Sequence, residues 1–374
     1  LSAGRYADAS RSAGTAATAA EAARFGPLVA EALAVAGEAL DRNGDPAGSL
    51  QALERAVEEG TGARQDWAVA EAAIQLVRTV GLGLGRREEG LRRAGFARAA
   101  LRRAGSPPLL AWRLDGSECE LRREQGDPGP AIELCRRALS IAERALGPEN
   151  PVTARAARDL GTAYDEAGRL EDALAAYARA LEVERKVLGE RHPELGVTWN
   201  SIAITSGKLD KWAEARDAYA RARDVLAASV GEQHPFTGLA TAGLGRALHF
   251  LGDDQGALKA GEAALPVVEA GFGPKHPWTA SPLLVIGEAR AGLGDARGAV
   301  APLQRARDIL EQQPGDPPLR SPVLLALGKA LWASGADRAG GLKLVEASRV
   351  RVSEKERAEI DAWLAAARKG AAPH

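Results

Sequence analysis

The chain has 374 residues, more than one hydrophobic core usually organises and a comfortable length for a stack of repeated units. Lys and Arg total 49 against 50 Asp and Glu, so the net charge of -1 gives no electrostatic reason to expect nucleic acid or an anionic membrane as partner. Hydrophobic residues make up 45% and charged residues 26%, which excludes disorder by composition; with aromatics at only 4%, the apolar share falls mainly to Ala, Leu and Val, and the first two are strong helix formers.

The chain opens at Leu1 and contains no Met, so it is expected to be a piece of a longer protein. Its first residues, Leu1 to Arg11, lack a basic region followed by an apolar one, and no signal peptide is expected. Gly4-Arg5-Tyr6-Ala7-Asp8-Ala9 has the look of a turn between two helices, as do Gly44-Asp45-Pro46 and, 41 residues on, Gly85. Gly81-Leu82-Gly83-Leu84-Gly85-Arg86 resembles a dinucleotide or kinase glycine loop, but it fails at the sixth position and follows no strand. It reads as a helix end followed by the turn at Gly85.

From about residue 106 the pattern becomes regular. Four segments align: Leu146-Gly147-Pro148-Glu149-Asn150-Pro151, Leu188-Gly189-Glu190-Arg191-His192-Pro193, Val230-Gly231-Glu232-Gln233-His234-Pro235 and Phe272-Gly273-Pro274-Lys275-His276-Pro277. Their glycines stand at 147, 189, 231 and 273, each 42 residues after the last. A second mark falls midway: Gly126-Asp127-Pro128, Gly168-Arg169-Leu170, Asp210-Lys211-Trp212, Gly252-Asp253-Asp254 and Gly294-Asp295-Ala296, with Gly335-Ala336-Asp337 beyond. Proline fits the first turn of a helix, where its missing N–H costs nothing, and glycine supplies the left-handed residue that ends one. Segment 152–167 is therefore expected to be one helix (A) and 170–187 a second (B), with Ala173, Leu174, Tyr177, Ala180 and Leu181 at helical spacing. About eight such pairs fit, plus a half unit at the start. Two antiparallel helices cannot bury their apolar stripes alone, but stacked neighbours share a continuous core. No run of alternating β-branched residues and no Asn-Gly turn supports a strand.

Gln313-Pro314-Gly315-Asp316-Pro317-Pro318 reads as a shortened loop between units. Ser353 to Lys369 reads as a closing helix with Ile360, Trp363 and Leu364 on one side. Three regions are expected: divergent repeats over 1–105, regular repeats over 106–312, and a last repeat with its capping helix over 313–374.

The 42-residue step, the LG-x-x-HP junction and the mid-unit turn resemble the tetratricopeptide repeat (TPR) of the kinesin-light-chain type. The closing Leu331-Trp332-Ala333-Ser334-Gly335 and Glu359-Ile360-Asp361-Ala362-Trp363-Leu364 resemble the C-terminal TPR region found behind bacterial serine/threonine kinase domains. The resemblance implies an all-α, right-handed superhelical solenoid of antiparallel helix pairs whose A helices line a concave groove for peptides or partner domains. In that type an Asn in helix A holds the peptide backbone. The matching positions here are Arg158, Asn200, Ala242, Leu284 and Leu325, and only Asn200 keeps the amide.

Repeat phase places Arg155, Arg158, Thr162, Asn200, Ile204, Arg246, His249, Glu288, Lys329 and Trp332 on the groove, along with Arg113, Glu120 and Arg123. Positive groups outnumber negative ones in this set, so an acidic or phosphorylated protein segment is the expected partner. No nucleic acid, membrane, cofactor or metal is expected. His192, His234 and His276 recur one repeat apart and do not converge as zinc ligands must, so they read as turn residues. Cys119 and Cys135 fall on core positions of one repeat and read as buried free thiols of a cytoplasmic protein. No kinase H-R-D or D-F-G motif and no paired catalytic acids emerge, so the chain is expected to be an interaction scaffold and not an enzyme. An architectural or autoregulatory module, self-associating or packing against its own catalytic domain, is the alternative, together with the sensor region of a transcriptional regulator.

Overall fold

A computed structural model describes residues 6–313, 319–350 and 352–370. The turn expected at Gly4-Arg5, most of the Pro-rich loop (314–318) and His374 lie outside these. The described residues form eighteen α-helices and no strand. The chain divides into two compact units, Leu1–Val187 and Leu188–His374.

The first unit holds α1 (Tyr6–Ala22), α2 (Gly26–Arg42), α3 (Pro46–Gly62), α4 (Asp66–Arg78), α5 (Arg87–Arg103), α6 (Pro108–Glu124), α7 (Pro128–Leu146), α8 (Pro151–Glu166) and α9 (Leu170–Leu188). The second holds α10 (Pro193–Lys208), α11 (Trp212–Val230), α12 (Pro235–Phe250), α13 (Asp254–Phe272), α14 (Ala280–Gly292), α15 (Ala296–Glu311), α16 (Arg320–Ser334), α17 (Arg338–Ala347) and α18 (Glu354–Arg368). Eight A/B pairs therefore run from α2 to α17, with α1 before them and α18 after. The expected helices 152–167 and 170–187 are α8 and α9 to within a residue. The glycine-rich stretch after α4 is a single π-helical turn, Thr79–Gly83, followed by a left-handed Gly85.

Each A-to-B turn needs a left-handed residue, and glycine supplies it at Gly126, Gly168, Gly252, Gly294 and Gly335, with φ between 70° and 84°. The turn between α10 and α11 uses Asp210 instead, at φ 59°. Half of the eight B helices then start on an Asp cap: Asp45, Asp253, Asp295 and Asp337 each accept a hydrogen bond from the backbone N–H three residues on, at 2.8–2.9 Å.

The B-to-A junctions are built alike. Gly147, Gly231 and Gly273 end α7, α11 and α13 with φ of 86° to 101°. Asn150, His192, His234 and His276 then cap the next helix. Each accepts the N–H two residues ahead, Asn150 through Oδ1 at 2.9 Å and the histidines through Nδ1 at 3.2–3.3 Å. Pro follows at the first helical position. Thr153, Thr237 and Thr279 reach back, each Oγ1 donating to the carbonyl of the junction glycine at 2.8–2.9 Å. The histidines are thus turn residues, as their spacing suggests, and they act as caps where the first junction has Asn.

The cores are dominated by alanine and leucine. In the first unit, Leu53, Leu114 and Leu121 are fully buried between neighbouring pairs. In the second, Leu284, Leu303, Leu310 and Leu327 do the same. Small residues let helices approach closely: Gly161 lies against the ring of Tyr177, and Gly243 against that of Tyr219.

Candidate interaction face

In the first unit, A-helix side chains one repeat apart pair with each other. Arg113 Nη1 of α6 donates to Glu71 Oε1 of α4 at 3.1 Å, and Arg78 Nη1 of α4 donates to Glu120 Oε2 of α6 at 2.9 Å. Arg123 of α6 grips Glu166 of α8 through Nε and Nη2, at 2.9 and 2.6 Å. Arg158, 12% exposed, donates to the buried Glu184 at 3.1 Å. Thr162 beside it accepts from Tyr177 Oη at 3.2 Å. Arg155 is exposed and has no ion-pair partner among the described residues. The Arg113–Glu71 and Arg78–Glu120 pairs each join residues 42 apart, one repeat step along the same column of the stack.

In the second unit, Arg246 and Glu288 come together at 3.7 Å across α12 and α14. Neither Arg246 Nε nor Glu288 Oε2 completes a hydrogen bond. The Arg246 guanidinium lies over Phe250, which stacks on Trp212 at 3.9 Å. His249 Nδ1 meets Asp254 Oδ1 at 2.5 Å. The face is open at α10. Val197 and Ile204 are 39% and 42% exposed, and Asn200 lies between them on the same helical face. The Asn200 amide makes no side-chain hydrogen bond among the described residues. At the other end, Lys329 lies 5.9 Å from the Trp363 ring, and Trp332 is buried edge-on against Trp363 at 5.7 Å. Desolvation in this concave corner pushes the Lys329 ammonium pKa down, against the pull of Glu288 and Glu359.

The expected groove residues therefore divide. Arg155, Asn200, Ile204 and Lys329 are at least partly open; Arg158, Thr162, Arg246, His249 and Glu288 are tied into the scaffold; Trp332 is covered by α18.

The cysteines require a correction. Cys119 of α6 and Cys135 of α7 are joined by a disulfide, with Cα atoms 5.6 Å apart. They stand where the next repeat packs Gly161 against Tyr177, so this column already brings helices A and B together. A disulfide fits an oxidising compartment better than a reducing one, so the cysteines no longer support a cytoplasmic setting. Beside them, Asp115 and Glu118 are 3% and 8% exposed. Arg137 chelates Asp115 through Nε and Nη2 at 3.1 and 2.5 Å, and Arg98 pairs with Glu118. Burial pushes both carboxyl pKa values up, opposed by these arginines. Among the described residues, no group of three or more His, Cys, Asp or Glu side chains is placed to hold a metal, and no helix is long and apolar enough to cross a membrane.

These stacked A/B pairs, with inward A-helix columns and glycine-turn joints, make the fold an all-α TPR solenoid. The tetratricopeptide repeat family model matches residues 118–186, 167–227 and 194–270, so the central repeats are TPRs. No curated protein matches the sequence. Among solved structures, the apo form of RapI is similar over 91% of this chain and 93% of its own, with a TM-score of 0.65 and 13% identity. BtubC (BKLC) from P. vanneervenii is similar over 62% of this chain and 94% of its own, with a TM-score of 0.52 and 23% identity. A tetratricopeptide repeat protein from Parabacteroides merdae is similar over 80% and 98%, with a TM-score of 0.53 and 16% identity. At these identities the likeness is one of fold.

Proposed function

We propose that this chain is a protein-interaction scaffold that holds a peptide or partner domain on the A-helix face. One observation carries the reading: on α10, two exposed aliphatic side chains, Val197 and Ile204, flank the unengaged amide of Asn200. Apolar contact on both sides of a two-way hydrogen-bonding group suits a peptide main chain with apolar side chains. The TPR repeats and the TPR-type structural neighbours support the same reading. An acidic or phosphorylated segment remains the proposed partner in the first unit, where Arg155 is a cation of the expected groove set with no ion pair among the described residues; Arg113, Arg123 and Arg158 already hold carboxylates. The proposed setting is the non-catalytic part of a bacterial signalling protein such as a serine/threonine kinase, by the resemblance of the closing motif.

Selection from a displayed peptide library against the purified chain tests the scaffold reading. Selected peptides are expected to lose at least tenfold in affinity with Ile204→Glu or Asn200→Ala. Failure to select any peptide, or selection indifferent to both substitutions, overturns it.

A further inference from the structure

The last helix shows what the A-helix face of the second unit accepts. Ile360, Trp363, Leu364 and Ala367 of α18 are buried against Trp332 and Val345, with Leu325 packed alongside. Repeat phase gives Leu325 and Lys329 the positions that Asn200 and Ile204 hold on α10. At the end of the unit, Leu325 and Trp332 of α16 and Val345 of α17 are covered by an amphipathic helix, with Lys329 at its edge, 5.9 Å from the Trp363 ring. Its start is self-sufficient: Ser353 and Glu356 form a reciprocal capping box.

The opposite end of the unit also touches α18. Lys355 pairs with Asp210, 145 residues earlier, in the turn between α10 and α11. Asp210 is the residue that replaces glycine in the repeated left-handed turn. A side chain with a Cβ is strained in that conformation, whereas glycine fits it at no steric cost. The turn that gives up its glycine for a carboxylate is thus the one that meets the lysine of α18. Between the two ends, α10, α12, α14 and α16 pack in sequence, and α18 packs on α17 with its first turn reaching Asp210.

We propose that the A-helix face of the second unit is a receptor for an amphipathic helix, held in cis by α18 through a releasable latch. The partner class is a helix with a basic residue in its first turn and apolar residues five, eight and nine positions further on, as in Lys355, Ile360, Trp363 and Leu364. The proposal rests on the scaffold reading and narrows it for this unit. The latch is easily released, because Lys355 and Asp210 keep 66% and 59% of their side-chain surface in water, where an ion pair holds weakly.

A fluorescent peptide of residues 353–369, titrated by anisotropy against the whole chain, tests this. The native chain is expected to bind it weakly, since its own helix competes. Lys355→Glu frees the latch and leaves Asp210 available, so the peptide is expected to bind roughly threefold tighter at low salt. Adding Asp210→Lys to that variant restores the latch with reversed charges and is expected to return binding to the native level or below. The difference is expected to disappear at about 1 M salt, where such pairs are screened. Equal affinity for the native and Lys355→Glu chains, or no saturable binding to either while circular dichroism shows both folded, overturns the latch. Faster amide exchange across α18 in Lys355→Glu than in the native chain is the second expected result, and equal exchange counts against the proposal. The two readings fail separately. Library peptides that depend on Asn200, with no binding of the α18 peptide, would sink the latch alone; the reverse pattern would sink the scaffold reading alone.

Discussion

At the scale of single residues, the junction histidines are the clearest case of one chemical role filled by two kinds of side chain. An imidazole Nδ1 and an Asn carbonyl both offer a lone pair to the N–H two residues ahead, so His234 and Asn150 do the same work. His234→Asn is therefore expected to leave stability within about 0.5 kcal/mol of native, and His234→Ala to cost about 1 kcal/mol. Urea unfolding of the two variants checks this, and equal losses would remove the cap from the account. The tyrosines give a pH-dependent counterpart. Burial raises the hydroxyl pKa of Tyr177 and of Tyr219 to about 12, from an unfolded value of 10.0. A folded value above the unfolded one means that the folded state holds the proton more tightly. The stabilisation is complete below pH 10 and is lost as pH rises through 12. Melting temperature measured across that window is expected to fall steeply in the native chain and less in Tyr177→Phe. Asp210 belongs at this scale too: its place in a glycine column is visible in the sequence, but its partner 145 residues away is not.

Among the elements, the α6/α7 pair departs most from its neighbours. In the equivalent A helices, the positions of Asp115 and Glu118 are held by Ala157 and Leu160, and by Leu283 and Ile286. Here two buried carboxylates and two arginines take the place of apolar packing, an exchange that brings specificity more readily than stability. The disulfide offsets the weaker core, since it closes a loop across a sequence separation of 16 residues. Such a loop is worth about 3 kcal/mol by chain entropy. Reducing the bond, or Cys119→Ala with Cys135→Ala, is expected to lower the melting temperature and to speed amide exchange in α6 and α7 before the remaining helices. Uniform exchange after reduction would show that the bond braces nothing locally. Sequence phase placed both cysteines in the core of one repeat, yet a buried thiol and a half-cystine occupy the same kind of position. What separates them is the 5.6 Å between their Cα atoms, and a linear pattern does not contain that distance.

For the molecule as a whole, the helices, their order and most of their ends were legible because each unit repeats its own punctuation. Pro marks the first turn and Gly the last, and the 42-residue step confirms each assignment several times over. The interaction face was less legible. Phase identifies which side chains point inward, but not which inward charges meet a partner from the next repeat. Arg155 and Arg158 look alike in sequence, and in the fold one is open while the other is spent on Glu184. The covering of Trp332 by α18 was hidden for a related reason. A closing helix seen in sequence reads as a cap on the end of a stack, and only three dimensions show it reaching back towards the start of the unit.

The B-to-A joint has one more consequence, for how such a chain lengthens. Glycine, capping side chain, proline and returning threonine all lie within seven consecutive residues, as in Gly231 to Thr237, and each hydrogen bond of the joint closes inside that stretch. A segment copied from one such joint to the next carries both of its own fittings. Unequal crossing-over between the Gly231–Pro235 and Gly273–Pro277 stretches, which share Gly, His and Pro in register, would add or remove a whole helix pair without breaking a joint. The number of repeats, and with it the number of rungs offered to a partner, is therefore a quantity that recombination changes in whole steps.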